Sequence, residues 1–287
     1  MNRRDLMLTG AVAMFAPQAK AARLPIQKAV LGGMLPKELP DWKSKFEVAK
    51  AAGFTHLEMG TADDPKEEAA IANAAAATGM KIHGVMNMAH WKFPLNSPDS
   101  ATVDTAMAGM RTSIRNAKAW GASTVLLVPA VMGPKLSYED AWKKSTERIK
   151  VLLPEAEKSK VIIAVENVWN KFLLSPMEMA RYVDQFQSPY LKAYLDVGNM
   201  VLYGFPQDWV RTLGKERIAK VHIKDFRFRK GLTEFVDLWD GDIDWKEVHK
   251  AFGEIGYNGI ATVELRGGDS AYLTDVSKRF DRILEGE

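Results

Sequence analysis

The sequence predicts an α/β fold, a single (β/α)8 TIM barrel, and three observations predict it. Short β-branched runs alternate with helical stretches about once every thirty residues, as repeated βα units do. Four successive runs in the second half each finish on a side chain that binds metals: Ile162-Ile163-Ala164-Val165-Glu166, Ala193-Tyr194-Leu195-Asp196, Ala219-Lys220-Val221-His222 and Ala261-Thr262-Val263-Glu264. With 287 residues, 47% hydrophobic and 26% charged, the chain is long enough for one large core of this kind.

In order, Ala29 to Met34 reads as the first strand, and Trp42 to Ala52 as a helix closed by Gly53. His56 to Met59 is the second strand, Pro65 to Thr78 a helix ended by Gly79, and Lys81 to Asn87 the third strand. Ser100 to Trp120 is a long helix stopped by Gly121, followed by the strand Thr124 to Val128, the helix Tyr138 to Ser159 and the strand ending at Glu166. Glycine directly after a helix is the usual left-handed stop, and here it sets the repeat. The count reaches eight strands. The gap from His222 to Glu264 is long because Phe226 to Asp244 inserts a loop, aromatic and acidic, before a helix that starts near Trp245. The Ala-rich piece Ala69 to Ala77 reads as a helix with a small-residue packing face.

Residues 1–21 are expected to be an export signal of the twin-arginine type, leaving residues 22–287 as one barrel domain in the periplasm. Arg3-Arg4 precede a mildly apolar segment from Leu6 to Ala16, and Ala19-Lys20-Ala21 fits the small-residue cleavage pattern. Pro17 makes the same segment a poor first helix. Removing it takes away three basic side chains and one acidic one, so the net charge falls from +3 to +1 and gives no basis for nucleic-acid binding. No apolar stretch is long enough to cross a bilayer, so no stable membrane insertion is expected once the signal is gone. Cysteine is absent, which excludes disulfides, thiolate ligands and a cysteine nucleophile.

A strand buried on both faces has no reason to finish on a charge unless that end faces a site. In such barrels the site lies at the C-terminal ends of the strands, so Glu166, Asp196, His222 and Glu264, closing the fifth to eighth strands, face one another. Taken singly, each has an ordinary role: an acid after a strand caps a helix, and a lone histidine sits in a core. Taken together, three carboxylates and one imidazole suit one divalent ion, with the oxygens favouring Mn, Mg or Co and the imidazole keeping Zn in play.

The segments Glu166-Asn167-Val168-Trp169-Asn170, Asp196-Val197-Gly198-Asn199, His222-Ile223-Lys224-Asp225 and Glu264-Leu265-Arg266 resemble the signature of the sugar phosphate isomerase/epimerase superfamily, the xylose isomerase-like barrels. The Asp-x-Gly-Asn and His-x-Lys-Asp forms are most similar to its 3-epimerase branch, the L-ribulose/L-xylulose-5-phosphate 3-epimerases and the ketose 3-epimerases. The resemblance covers nearly all of residues 22–287. It implies a metal-dependent sugar epimerase or isomerase that inverts the carbon next to a ketose carbonyl through an enediolate, and a dimer or tetramer. It also implies that Glu166 and Glu264 serve as base and acid while ligating the metal, with Asp196 and His222 as ligands only. The chemistry needs such groups, because a poorly acidic C–H proton must leave one face of the carbon and return to the other.

Other residues are weaker candidates for holding substrate. Asn199 is placed either to bind a sugar hydroxyl or simply to make the turn after Gly198. Lys224 is placed to approach the enediolate oxygens or a substrate phosphate, or to be a solvated strand-end cation. His90, Trp91 and Trp169 are candidate walls for a sugar face, although aromatic residues are more often plain core. Asp225 is expected to anchor Lys224 or His222. Glu58, closing the second strand, is a pocket or capping candidate, while His56, His83 and His249 have no evident partner. Arg266-Gly267-Gly268-Asp269 follows the last strand, where barrels often bind phosphate, whereas an exported protein would favour a free sugar.

Several rival functions share the barrel. An aldose-ketose isomerase or a sugar-acid or inosose dehydratase would use the same metal cradle with a different proton path. An endonuclease of the same barrel type needs more histidines than the five here and a basic groove. A non-catalytic periplasmic sugar-binding protein would keep the barrel and lack turnover.

Overall fold

The computed structural model describes residues 21–229 and 232–287. The strands are β1 (Gln27–Leu31), β2 (His56–Gly60), β3 (Lys81–Met86), β4 (Thr124–Leu127), β5 (Ile162–Glu166), β6 (Leu191–Asp196), β7 (Ile218–Ile223), β8 (Asp225–Arg229), β9 (Leu232–Val236) and β10 (Ile260–Val263). The helices are α1 (Trp42–Ala51), α2 (Pro65–Thr78), α3 (Ser100–Trp120), α4 (Tyr138–Ser159), α5 (Pro176–Asp184), α6 (Pro206–Arg217), α7 (Trp245–Glu254) and α8 (Ser270–Glu285). Strands β1 to β7 and β10 close into a parallel barrel, in the order β1-β10-β7-β6-β5-β4-β3-β2. Among the described residues no helix is long and apolar enough to cross a membrane.

Local chemistry accounts for most boundaries. Asp41, Asp64, Asp99, Ser137, Ser175, Asp244 and Asp269 each accept a backbone N–H in the first turn of the helix that follows. Gly79 and Gly121 end α2 and α3 in the left-handed conformation, at φ 72° in both cases. The first strand is shorter than its apolar run suggests, because Gly32–Met34 form a 3-10 turn at its end.

Side-chain alternation then sorts the barrel into two cores. Outward residues such as Val30, Leu57, Val85, Val125, Ile163, Leu195, Val221 and Val263 pack in the main core under the helices. Inside the barrel, Leu126, Ala164 and Tyr194 form a small apolar cluster with Met86, Ile162 and Ala219 against it. With a period of two, Glu166 shares the inward register of Ala164, and Asp196 that of Tyr194. His222 and Glu264 stand two residues after Lys220 and Thr262. The four charged ends therefore converge because the strands carry them there, and no special loop conformation is required.

Two elements depart from the sequence reading. The pairing of β2 with β3 skips His83, so that Glu58 stands opposite Gly84. This extra residue brings His83 inside, where Nε2 lies 2.9 Å from Thr262 Oγ1, and burial with the nearby Lys220 holds its pKa well below the usual imidazole range. The insertion after β7 contains an antiparallel hairpin, β8–β9, rather than an unstructured loop. The alternating Phe226-Arg227-Phe228-Arg229 is a period-two signal that would have revealed it.

Candidate metal centre

Glu166, Asp196, His222 and Glu264 each offer a ligand atom, and these atoms all lie within 4.8 Å of one another. Oxygens on opposite sides of one ion at roughly 2.0–2.2 Å stand about 4.0–4.4 Å apart, so the widest pair needs only a small contraction to share it. The centre of the cluster is His222 Nδ1, which stands 2.8 Å from Glu166 Oε1, 2.9 Å from Glu264 Oε2 and 3.7 Å from Asp196 Oδ2. His222 and Asp196 are fully buried, Glu166 nearly so, and Glu264 is the most open of the four, with its side chain 28% exposed.

Each ligand is held from behind. Asp196 Oδ1 accepts the N–H groups of Gly198 and Asn199 at 2.8 and 2.7 Å, which closes the Asp-x-Gly-Asn turn. Asn167 brackets the same residue, taking the Asp196 N–H on Oδ1 and donating from Nδ2 to its carbonyl, both at 2.9 Å. Asp196 Oδ2 is left buried without a hydrogen-bond donor; Lys224 Nζ lies 3.0 Å away, as an ion pair out of line for a hydrogen bond. Three carboxylates and one imidazole gathered in one largely buried cluster are the donor set of a divalent ion, and this is the observation that fits the residues to a metal.

Charge follows the geometry. Burial raises Glu166, to about 7, and the neighbouring carboxylates add to that, while His222 works the other way. Burial would raise Glu264 too, but His222 and Lys224 together hold it well below the usual carboxylate range. The difference between two acids on the same imidazole is Lys224, whose Nζ is 2.8 Å from Glu264 Oε2. Burial disfavours the charged form of His222, yet Glu264, Glu58 and Glu166 outweigh it and hold the imidazolium. Burial likewise opposes the Lys224 charge, and Asp196 and Glu264 overcome it.

Glu58 supports His222 from behind. It is fully buried inside the barrel, with Oε2 3.0 Å from His222 Nε2, and it also accepts the Tyr194 hydroxyl at 2.5 Å. A carboxylate on Nε2 holds a proton there, so that Nδ1 is the nitrogen to ligate an ion once its own proton has left. The support expected from Asp225 therefore comes from a different strand. Asp225 is instead committed to the insertion: it accepts the N–H groups of Phe226, Trp239 and Gly241 and the Trp245 indole N–H. The one-residue step from Lys224 to Asp225 turns its carboxylate away from the imidazole. Glu58→Gln is expected to weaken divalent-metal affinity about 10- to 100-fold with the fold retained. Competition against a chromophoric chelator measures this, and unchanged affinity would remove Glu58 from the account.

The remaining candidates divide by position. Lys224 and Asn199 border the cradle: Lys224 Nζ lies 3.4 Å from Asn199 Oδ1, and Asn199 Nδ2 donates to the Asn167 carbonyl at 2.9 Å. Gly198 leaves room for the lysine stem, since a Cβ there would run into Lys224 Cγ and stand 3.1 Å from the Lys224 carbonyl oxygen. Gly198→Ala should thus cost about 1–3 kcal/mol in a denaturant melt, by overpacking. Trp169 donates its indole N–H to the Asn199 carbonyl and stacks on Phe235 at 4.9 Å. His90 is buried, with a pKa lowered to about 4 by that burial, and its Nδ1 accepts the Val128 N–H; Trp91 packs edge-on to it, half exposed. Arg266 is turned outward onto Asp237, 3.0 Å away.

At Gly267-Gly268, part of the backbone that a phosphate would use is already engaged. Gly268 N–H donates to the Met34 carbonyl at 3.2 Å, and Asp269 already caps α8. His56 and His249 stay outside the cradle: His56 Nδ1 lies 2.8 Å from Thr55 Oγ1, and His249 Nδ1 lies 3.0 Å from the Ile283 carbonyl. Asn167 and Tyr194 were not singled out in the sequence. Both sit inside motifs or strands that read as ordinary, and only inward register marks them.

Comparison with known proteins agrees with this architecture. L-ribulose-5-phosphate 3-epimerase UlaE of Escherichia coli (strain K12) is 25% identical over 257 residues, spanning 84% of this chain and 88% of its own. A second protein of that strain, SgbU, which carries the same activity as a provisional name, is 27% identical over 249 residues, spanning 80% of this chain and 85% of its own. Among solved structures, a D-tagatose 3-epimerase-like protein matches with a TM-score of 0.78 at 18% identity, covering 90% of this chain and 97% of that one. The IOLI protein with a binding zinc atom matches at 0.76 and 19% identity, covering 90% and 98%.

These relatives correct the expectation of periplasmic export. They are named as sugar epimerases, the similarity extends over most of the chain, and they give no support to export. The Arg3-Arg4 segment that suggested export lies outside the described residues. The xylose isomerase-like TIM barrel family model matches residues 46–281, and the chain belongs to that family.

Proposed function

We propose that this protein is a metal-dependent sugar epimerase, an isomerase-class enzyme that inverts the carbon next to a ketose carbonyl. The observation that carries the reading is the convergence of two carboxylates, Glu166 from β5 and Glu264 just beyond β10, on one imidazole nitrogen. Epimerisation needs one group to take a proton from the carbon and another to return one on the opposite face, each transfer contributing roughly 10²- to 10⁴-fold. Glu166 and Glu264 are those groups, and with Asp196 and His222 they would hold the ion. When bound, a divalent ion supplies Lewis-acid stabilisation to negative charge developing on the substrate.

The chain's own residues organise the rest. Glu58, itself bonded by the Tyr194 hydroxyl, orients the His222 ring, and Asn167 with the Gly198-Asn199 turn fixes the Asp196 carboxylate. Lys224 keeps Glu264 ionised. The named activities of the relatives, ketose phosphate 3-epimerases, support the same reaction class.

The test is deuterium exchange. Purified protein is supplied with Mn, Mg, Co or Zn and a panel of ketoses and keto-sugars in D₂O, and NMR follows the carbon beside the carbonyl. Deuterium should enter there together with inversion. Binding without exchange, for every sugar and metal, would leave only a sugar-binding protein.

A further inference from the structure

We infer that the cleft beside Glu264 is a subsite for an uncharged, polyhydroxylated part of the sugar and not for a phosphate group. This rests on the epimerase reading and narrows its substrate class. A cavity of about 570 Å³ is lined by Lys224, Arg227, Phe235, Asp237, Asp240 and Arg266, among others, and it reaches the cradle at Lys224 and Glu264. That size falls in the range of roughly 300–1,000 Å³ typical of small-molecule sites. Because Glu264 is the most open member of the cradle, a sugar whose reacting carbon lies against it extends into this space.

Three basic side chains line the cleft, and each is already matched. Lys224 is paired with Asp196 and Glu264 at 3.0 and 2.8 Å. Arg227 is paired with Glu234 at 3.4 Å, and its Nε and Nη2 donate to the Asp240 carbonyl at 3.0 and 2.6 Å. Arg266 is paired with Asp237 at 3.0 Å and lies over the Tyr272 ring, 4.3 Å from its centroid. The carboxylates lining the same cavity are Glu234, Asp237, Asp240 and Glu264, so acids outnumber bases. A phosphate dianion would have to displace one of these acids from its partner or lie against them uncompensated.

The other place a barrel binds phosphate, the turn after the last strand, is partly taken and carries an acid of its own. Gly268 N–H goes to the Met34 carbonyl, and the start of α8 is occupied by the Asp269 carboxylate. What the cleft offers a ligand is carboxylate oxygens, which keep spare lone pairs while ion-paired, a small excess of negative charge, and an apolar wall. Sugar hydroxyls donate to such acceptors, and a phosphate dianion has no proton to give. Phe235, 44% exposed and backed by the stacked Trp169, supplies the apolar side for the C–H face of a sugar.

The experiment uses the metal-loaded protein and a panel of ketoses, each as the free sugar and as its terminal phosphate, scored by deuterium incorporation and by kcat/KM. The free form of the reactive ketose should be preferred by about tenfold or more. Phe235→Ala should raise KM for the free ketose more than it lowers kcat. Asp237→Asn, which releases Arg266, should shift the preference toward the phosphorylated form, with melting used to verify that the variant is folded. Preference for the phosphate by the unaltered protein would overturn this inference while leaving the epimerase reading intact. No exchange with any member of the panel would overturn both.

Discussion

Glu166→Gln and Glu264→Gln are each expected to abolish epimerisation, lowering turnover by about 10³-fold or more. Each substitution removes one proton-transfer group, worth roughly 10²- to 10⁴-fold, and a negative ligand as well. The signature separating a two-base scheme from general damage is partial exchange. A variant that keeps one acid can still wash deuterium into one epimer on its own face, yet it cannot deliver a proton to the other. Both residues stand where strands end, and the neighbouring backbone remains paired, with Glu264 N–H on the Ile223 carbonyl. Melting and circular dichroism should therefore stay close to those of the parent protein. Near-normal inversion by either variant would end the assignment.

Exhaustive chelation is the second large effect: activity should vanish and return on adding back Mn, Co or another divalent ion. Binding should also release protons, because three carboxylates hold His222 charged against the burial that disfavours it, and burial pushes Glu166 up to about 7. His222 must lose a proton before Nδ1 can ligate, so metal affinity should rise as pH rises toward and through neutrality. Calorimetry in two buffers of different ionisation enthalpy measures the release, and an affinity flat between pH 6 and 8 would contradict it. At a free metal concentration of 100 times Kd the ion should add about 2.7 kcal/mol of stability. In a chain of this size that is a rise of several degrees in Tm.

Much of this site was legible as a pattern of strand endings. Glu166, Asp196, His222 and Glu264 each close an apolar run, and inward register follows from the two-residue alternation once the barrel is granted. Helix boundaries were legible for the same local reason: Pro65 to Thr78 and Ser100 to Trp120 begin after an aspartate cap and end at a glycine. The support for the histidine was not. Asp225 looked right by proximity in sequence, and Glu58, 164 residues away, holds the imidazole instead. Spacing along the chain says nothing about which distant strand faces which across a barrel.

The amino-acid sequence by itself determined the architecture, the four strand ends that carry candidate metal ligands and their inward direction, because backbone alternation and capping are local properties. Only the tertiary structure decided which partner each ligand leans on, how the acids differ and whether the basic residues of the cleft are free. Those depend on closing the barrel. Closure sets Glu58 against His222, places Lys224 on Glu264 rather than on Glu166, and folds the β8–β9 hairpin so that Glu234 and Asp237 neutralise Arg227 and Arg266.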